Sequence, residues 1–552
     1  MTVAASGPVF SLWEIPFSYH GSWFGFSPVV AEGTYAEEVH LVSHQTGMHP
    51  VMKLVPDTAA TVTATPHRLT WHDGLIDLAY ESVDTVRVRG RGMGLRVLAA
   101  DPVLTPFSGP YFYQDPVDGS YVFTLYQTGR RYRITLLGGR AEHLGAQALG
   151  AAERGIRLSG EWEIAIEEYE TARAPYTAKD PFDQVVKAAR AEFDAFAQAV
   201  APWRGGRTPA AELAAYVLWS ATVRPAGFVT RPAVLMSKHW MDKVWSWDHC
   251  FNAIAVAGGL PGLAWDQYRL PFDHQDASGA LPDSVTHSEI LYNFVKPPIH
   301  GWALRHLPAA SPDVYPLLER WTTFWLTARR VPGHELPHYQ HGNDSGWDNA
   351  TTFDPERVVQ SADLAAFLIL QLRELARLAP GPDASARWSA QADRMRDALL
   401  AELWDGERFV ARGVLSGRTW SSSSLLDLMP IVLGEELPRP VRAALAAGIE
   451  RHLTAYGLAT ELPDSPHYLD DGYWRGPIWA PSTVLVEDGL RRAGYPDLAD
   501  EISARFRALC ERSGFAENFD ARTGQGLRDR AYTWTAAAYL HLAAAHERRS
   551  AP

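Results

Sequence analysis

Residues 162–201 read WEIAIEEYETARAPYTAKDPFDQVVKAARAEFDAFAQAVA, and within them the period of the chain changes. Trp162, Ile164 and Ile166 alternate with Glu163 and Ala165, the mark of a strand with one covered face. From Phe182 to Ala201 apolar residues recur every three or four positions over an Ala-rich interior, which is helical spacing. The chain before this stretch reads as strand, and the chain after it as helix.

Upstream, short runs rich in Val, Thr and aromatics occupy Glu38 to Ser43, Met52 to Val55, Ala60 to Ala64 and Arg68 to Trp71. Leu75 to Tyr80, Thr85 to Val88, Tyr121 to Tyr126 and Tyr132 to Leu137 continue the series. Turn sequences such as His72-Asp73-Gly74 and Pro116-Val117-Asp118-Gly119 separate them, a spacing that predicts an antiparallel β-sandwich over residues 1–175. Arg89-Gly90-Arg91-Gly92 resembles a phosphate loop only superficially, since no helix signal follows it.

Downstream, helical periodicity recurs at Pro209 to Val223, Val314 to Thr327, Arg357 to Leu378, Ala384 to Leu403 and Leu425 to Leu433. It returns at Val441 to Thr454, Trp479 to Arg492, Leu498 to Ser513 and Tyr532 to His546, with shorter candidates near Cys250 and Ile299. About a dozen helices with no comparable strand among them predict an (α/α)6 barrel over residues 176–552. A helical solenoid would show a repeat of roughly 30–50 residues, and none is visible. The expected class is therefore a multidomain α+β protein.

Composition narrows the function. Lys plus Arg total 51 against 64 Asp plus Glu, a formal charge of −13, which argues against nucleic acid as a partner. Two isolated cysteines, Cys250 and Cys510, form no disulfide framework. The first residues, Met1 to Pro8, lack the basic and apolar regions of a signal peptide. The longest apolar run, Phe251 to Trp265, is broken by Asn252, Gly258, Gly259 and Pro261 and is too short to span a membrane. A cytoplasmic protein with no membrane partner is expected. No Walker or nucleophile-elbow motif and no His pair with metal-ligand spacing occurs, so no cofactor or metal is expected.

The chemistry-bearing segments lie between the predicted helices. Asp348 stands in Gly346-Trp347-Asp348-Asn349, and Glu517 stands in Phe515-Ala516-Glu517-Asn518-Phe519 before Thr523-Gly524. Two carboxylates far apart in sequence, each beside aromatic rings, suit cleavage of a glycosidic bond. One gives a proton to the leaving oxygen; the other activates water or attacks carbon. Aromatic faces suit the C–H faces of a sugar.

Six segments in order carry a family resemblance: Trp245-Ser246-Trp247-Asp248, Gln275 with Gly279-Ala280-Leu281-Pro282-Asp283, Pro297-Pro298, Gly346-Trp347-Asp348-Asn349, Tyr473-Trp474-Arg475-Gly476-Pro477-Ile478-Trp479, and Glu517. Together they resemble glycoside hydrolase family 63 and its relatives, the processing α-glucosidases and the bacterial mannosylglycerate and glucosylglycerate hydrolases. The resemblance spans roughly residues 200–545. It implies an inverting, exo-acting α-glycosidase, with Asp348 as general acid and Glu517 as general base. Inversion needs the two carboxyl groups about 6.5–9.5 Å apart, with water between base and sugar. The resemblance also implies that Trp247 and Asp248 line the glycone pocket and that Trp474, Arg475 and Trp479 close it. Trp245, Gln275, Lys296 and Trp347 complete the expected substrate contacts.

This chain departs from the family pattern in two places. Asn349-Ala350-Thr351-Thr352 stands where relatives often read Asn-Ser-Pro-Arg, and Lys296 stands where they often place Gln. Both bear on the aglycone. Lys296 could meet an anionic leaving group or pair with a neighbouring carboxylate. The expected substrate is a small α-glucoside held in a closed pocket. A disaccharide phosphorylase on the same architecture, which has no use for a base, and a non-catalytic carbohydrate-binding protein are the competing readings.

Overall fold

The computed structural model describes residues 7–145, 149–309 and 313–550. It divides into two compact units. The first comprises residues 1–202, 215–243 and 286–288, and the second residues 203–214, 244–285 and 289–552.

The first unit is built on one 13-stranded antiparallel sheet folded as a sandwich. Its path runs Phe17–Ser18, Phe24–Ala31, Thr34–Ser43, His49–Pro56, Leu95–Ala99, Gly155–Tyr169, Thr85–Arg91, Ile76–Ser82, Arg68–Trp71 and Val62–Thr65. The long strand Gly155–Tyr169 is the organiser. One edge pairs first with Leu95–Ala99 and then with Thr85–Arg91; the other pairs with Arg131–Leu144. Trp162, at its centre, lies over Gly90, where an added Cβ would fall 2.1 Å from the indole. The indole Nε1 donates to Met93 O at 2.9 Å. A bare backbone at Gly90 is thus a packing requirement.

Helix α1 (Phe182–Val200) belongs to this unit: Phe182 and Val185 form a buried cluster with Ala79 of the sheet. The boundary expected at residue 175 therefore falls short of the compact unit, which runs on through α1 to Pro202. Helix α2 (Ala211–Ala221) bridges the division, its first residues falling in the second unit and the remainder in the first.

The second unit is the (α/α)6 barrel. Its helices are α3 (Asp248–Val256), α4 (Pro261–Asp273), α5 (His300–Leu304), α6 (Val314–Thr327), α7 (Ala362–Leu378) and α8 (Pro382–Glu402). A 3₁₀ segment, Leu425–Glu436, follows, and then α9 (Arg439–His452), α10 (Ala480–Ala493), α11 (Pro496–Ser513) and α12 (Thr533–Ser550). Packing closes an inner ring in the order α3, α5, α7, the 3₁₀ segment, α10, α12 and back to α3. Burial follows position in the ring. In α7 and α10 residues are buried on nearly every side, whereas outer α8 buries only Ala392, Met395 and Leu399. An all-round apolar helix belongs inside a layer and a one-sided helix on its surface.

Candidate active site

The predicted site residues lie on the loops that lead into the N-termini of inner helices. Trp247 and Asp248 open α3, Lys296 precedes α5, and Asp348 precedes α7. Residues 473–479 precede α10, and Glu517 precedes α12. Helix N-termini carry partial positive charge and suit a ring of carboxylates.

Asp348 sits between two short 3₁₀ turns, Gly342–Ser345 and Thr351–Phe353. The first turn is capped by His341 Nδ1, which accepts from Asn343 N at 3.1 Å. It ends at Gly346 in the left-handed region, φ 74°. Buried Asp344 anchors the loop from below: it accepts from Val295 N at 3.1 Å and Gln340 N at 2.9 Å and pairs with Arg329 at 2.6 Å. A Cβ on Gly346 would lie 2.6 Å from the Trp247 ring. Gly346→Ala therefore strains both the backbone and the indole, and we expect about 1–3 kcal/mol of lost stability together with reduced activity. Thermal unfolding beside a rate assay checks this; an unchanged melting temperature would refute the close-approach argument.

Two motifs that are distant in sequence are sewn together at this point. Asn349 Oδ1 accepts from Trp474 N at 2.9 Å, Asn349 Nδ2 donates to Gly472 O at 3.0 Å, and Arg475 Nε donates to Asn349 O at 2.6 Å. Arg475 also pairs with Asp354. Its guanidinium thus braces the Asp348 loop. Gln275 is engaged likewise: its amide donates to Gly279 O at 2.9 Å and Leu317 O at 3.2 Å, closing its own loop. Trp245 lies in a short strand paired with Ser284, half-buried.

The four expected tryptophans do come together. Trp474 stacks on Trp479 with centroids 4.1 Å apart and planes 5° from parallel, and Trp347 lies 4.6 Å from Trp474. Trp247 lies 6.5 Å from Trp474. Trp534, absent from the sequence reading, completes the box edge-on to Trp247 at 5.8 Å and to Trp479 at 5.4 Å. Trp474 lies face to face with Trp479 and tilted by 34° against Trp347, and the three form a stiff wall. Tyr473 stands in front of it, with φ 63°, an outlying conformation for an aromatic residue. Its hydroxyl donates to Asp348 Oδ2 at 3.3 Å, and Trp479 Nε1 donates to Tyr473 O at 2.8 Å. In the sequence Tyr473 stands only as the first residue of its motif, with nothing to mark this role.

Four carboxylates surround this wall. Glu517 is buried; its backbone N donates to Asp529 O at 2.7 Å. Burial pushes its pKa up to about 8, the charges of Asp529 and Asp348 add to the rise, and Arg528 opposes it. Burial likewise raises Asp248 to about 8 against the pull of Lys296. Asp348 is raised by burial and by Asp283, while Lys296 and the Tyr473 hydroxyl work against the rise. Burial disfavours the Lys296 ammonium, yet Asp348, Asp283 and Asp248 outweigh it and hold its pKa above the ordinary lysine value. Lys296 Nζ is 3.2 Å from Asp283 Oδ1 and 4.0 Å from Asp348 Oδ1. Lys296 thus pairs with the neighbouring carboxylate of Asp283.

Among the described residues no group of three His, Cys, Asp or Glu is arranged to hold a metal ion, and no helix is long and apolar enough to cross a membrane. A separate cleft of about 500 Å³, lined in part by Ser422, Asp427 and Arg451, shares no residue with the site.

Residues 241–535 match the sequence model of the mannosylglycerate hydrolase MGH1-like glycoside hydrolase domain. A mannosylglycerate hydrolase of Thermus thermophilus is 34% identical over 387 residues, covering 54% of this chain and 93% of its own. That of Rubrobacter radiotolerans is 25% identical over 420 residues, covering 57% of this chain and 93% of its own. Among solved structures, a GH63 mannosylglycerate hydrolase from Thermus thermophilus in complex with glucose has a TM-score of 0.52 at 23% identity. The match covers 60% of this chain and 98% of the other. A bacterial glucoamylase complexed with acarbose reaches a TM-score of 0.61 at 11% identity, covering 99% of this chain and 96% of its own. These structural likenesses are likenesses of fold.

Proposed function

Because the chain belongs to the mannosylglycerate hydrolase MGH1-like family of glycoside hydrolases, we propose that it is an inverting, exo-acting hydrolase of a small α-glycoside, with Asp348 as general acid and Glu517 as general base. One observation carries the reading. Tyr473 hydrogen-bonds the half-buried carboxyl of Asp348 and stands within electrostatic reach of the buried carboxyl of Glu517, in front of a wall of stacked tryptophan. Asp348 gives its proton to the glycosidic oxygen as the C–O bond breaks. Glu517 takes a proton from a water that attacks the anomeric carbon from the opposite face, and the released sugar has the inverted configuration.

Mannosylglycerate is the first candidate substrate, since relatives aligned over 93% of their own length bear that name. A neutral small α-glucoside is the second. It is favoured by the state of the cations: Lys296 is held by Asp283 and the Asn343 carbonyl, and Arg475 is held by Asp354, so neither presents an open charge to a carboxylate.

The test is turnover of α-mannosylglycerate, α-glucosylglycerate and methyl α-glucoside in phosphate-free buffer, followed by ¹H NMR. We expect hydrolysis of at least one with the β-anomer appearing first. An α-anomer first would overturn inversion, and a requirement for phosphate would restore the phosphorylase reading.

A further inference from the structure

Several carboxylates compete for one buried ammonium beside Asp348. Lys296 and Asp283 each have side chains only 8% exposed. Lys296 Nζ donates to Asn343 O at 3.0 Å, faces Asp283 Oδ1 at 3.2 Å, and stands back from Asp348 Oδ1 at 4.0 Å. Both ends of the shorter pair are fixed by backbone. Asp283 N donates to Leu291 O at 2.8 Å, and its carbonyl accepts from Ser246 N at 3.3 Å. Lys296 follows Val295, whose N donates to Asp344 Oδ1, and precedes Pro297-Pro298.

We propose that Asp283 is a positioning residue for Asp348: it holds the Lys296 ammonium away from the Asp348 carboxyl, so that Asp348 keeps the proton it must deliver. The proposal rests on reading Asp348 as the general acid. A carboxyl in direct contact with an ammonium ionises easily and makes a poor acid; one held at 4.0 Å, while a second carboxylate takes the closer place at 3.2 Å, keeps its proton longer. Asp348 needs such a device because its other neighbours pull the opposite way. The Tyr473 hydroxyl, from the loop before α10, stabilises the ionised form, and so does His341, from the turn before Asp348. Asp248, in the first turn of α3, and Glu517, before α12, also lie in reach; each is itself shifted upward by the Asp348 charge.

A purely structural ion pair and a proton-retaining one respond differently to removal of each partner. Asp283→Asn frees Lys296 to move onto Asp348, so the Asp348 titration midpoint should fall. Lys296→Met removes the cation, so the midpoint should rise. Each shift should be about one pH unit or more, and the double variant should lie between the two. Asp283→Ser replaces Asp283→Asn if the amide disturbs folding, and circular dichroism establishes that each variant is folded. The midpoint is read directly from the carboxylic-acid carbonyl band in infrared titrations, assigned by its loss in Asp348→Asn. The alkaline limb of kcat/KM is recorded in parallel. Opposite shifts in the infrared midpoint establish the proposal. Unmoved midpoints, or shifts of the same sign, overturn it whatever the activity does. Opposite infrared shifts with an unmoved alkaline limb would leave the positioning intact and remove Asp348 from the role of acid, which separates the two conclusions.

Discussion

Asp348→Asn lowers kcat on an alkyl α-glycoside by roughly 10²–10⁴-fold, the usual contribution of a positioned general acid, and lowers it far less on a dinitrophenyl α-glycoside. The contrast follows from the leaving group. An alkoxide must be protonated as it departs, whereas a dinitrophenolate leaves as the anion. Asparagine preserves the volume and can still accept from the Tyr473 hydroxyl, which reaches Asp348 Oδ2 at 3.3 Å. The bracing by Asn349 and Arg475 does not involve the Asp348 side chain, so the loop should hold its shape. Steady-state rates on both substrates, with circular dichroism as the folding control, give the answer. Equal losses on the two substrates would assign Asp348 some other duty.

Glu517→Gln is expected to lose a similar factor, roughly 10²–10⁴-fold, but equally on both substrates, because attack by water is needed whichever group leaves. Retention of activity on the activated substrate would take the base role away from Glu517. The same variant should change how stability depends on pH. The folded-state pKa of Glu517 is raised by burial to about 8, above its ordinary value of 4.5. Its neutral form therefore supports the fold fully below that ordinary value, and this support is lost as pH rises from there through about 8. Glutamine cannot ionise. The melting temperature of the variant relative to the native protein should climb over this window. Activity has the opposite sign, since a base acts only when ionised. A flat difference in melting temperature between about pH 5 and 8 would mean that Glu517 ionises normally in the folded protein.

Legibility in the sequence followed local physics. Thr85–Arg91 and the second half of Gly155–Tyr169 announced themselves by apolar residues alternating with charged ones, although the structure buries most side chains on both faces. Phe24–Ala31 did not, since its first six residues are buried on both faces and the pattern vanishes. Helix α4 was also unread: it starts at Pro261 and carries Pro271 inside, which mimics a loop. In the site, Gly346-Trp347-Asp348-Asn349 and the Tyr473 to Trp479 segment stood out because ring-rich loops are uncommon. The partner each polar group would choose was hidden. Arg475 turned to a backbone carbonyl and Asp354, and Lys296 to Asp283, choices fixed by loops that meet only in three dimensions. Trp534 opens α12 and reads in sequence like any helix-start aromatic.

The closed inner ring also sets a timetable for biosynthesis. Helix α3, which carries Asp248, ends at Val256, yet the helix that packs beside it to close the circle, α12, begins only at Thr533. At ribosomal rates of about 5–20 residues per second the early helices wait on the order of tens of seconds for their last neighbour. Throughout that interval the Trp247 side of the barrel lacks Trp534, and apolar surface meant for the interior stays available to other nascent chains. A protein wired in this way gains from a chaperone that shields a half-ring until α12 arrives.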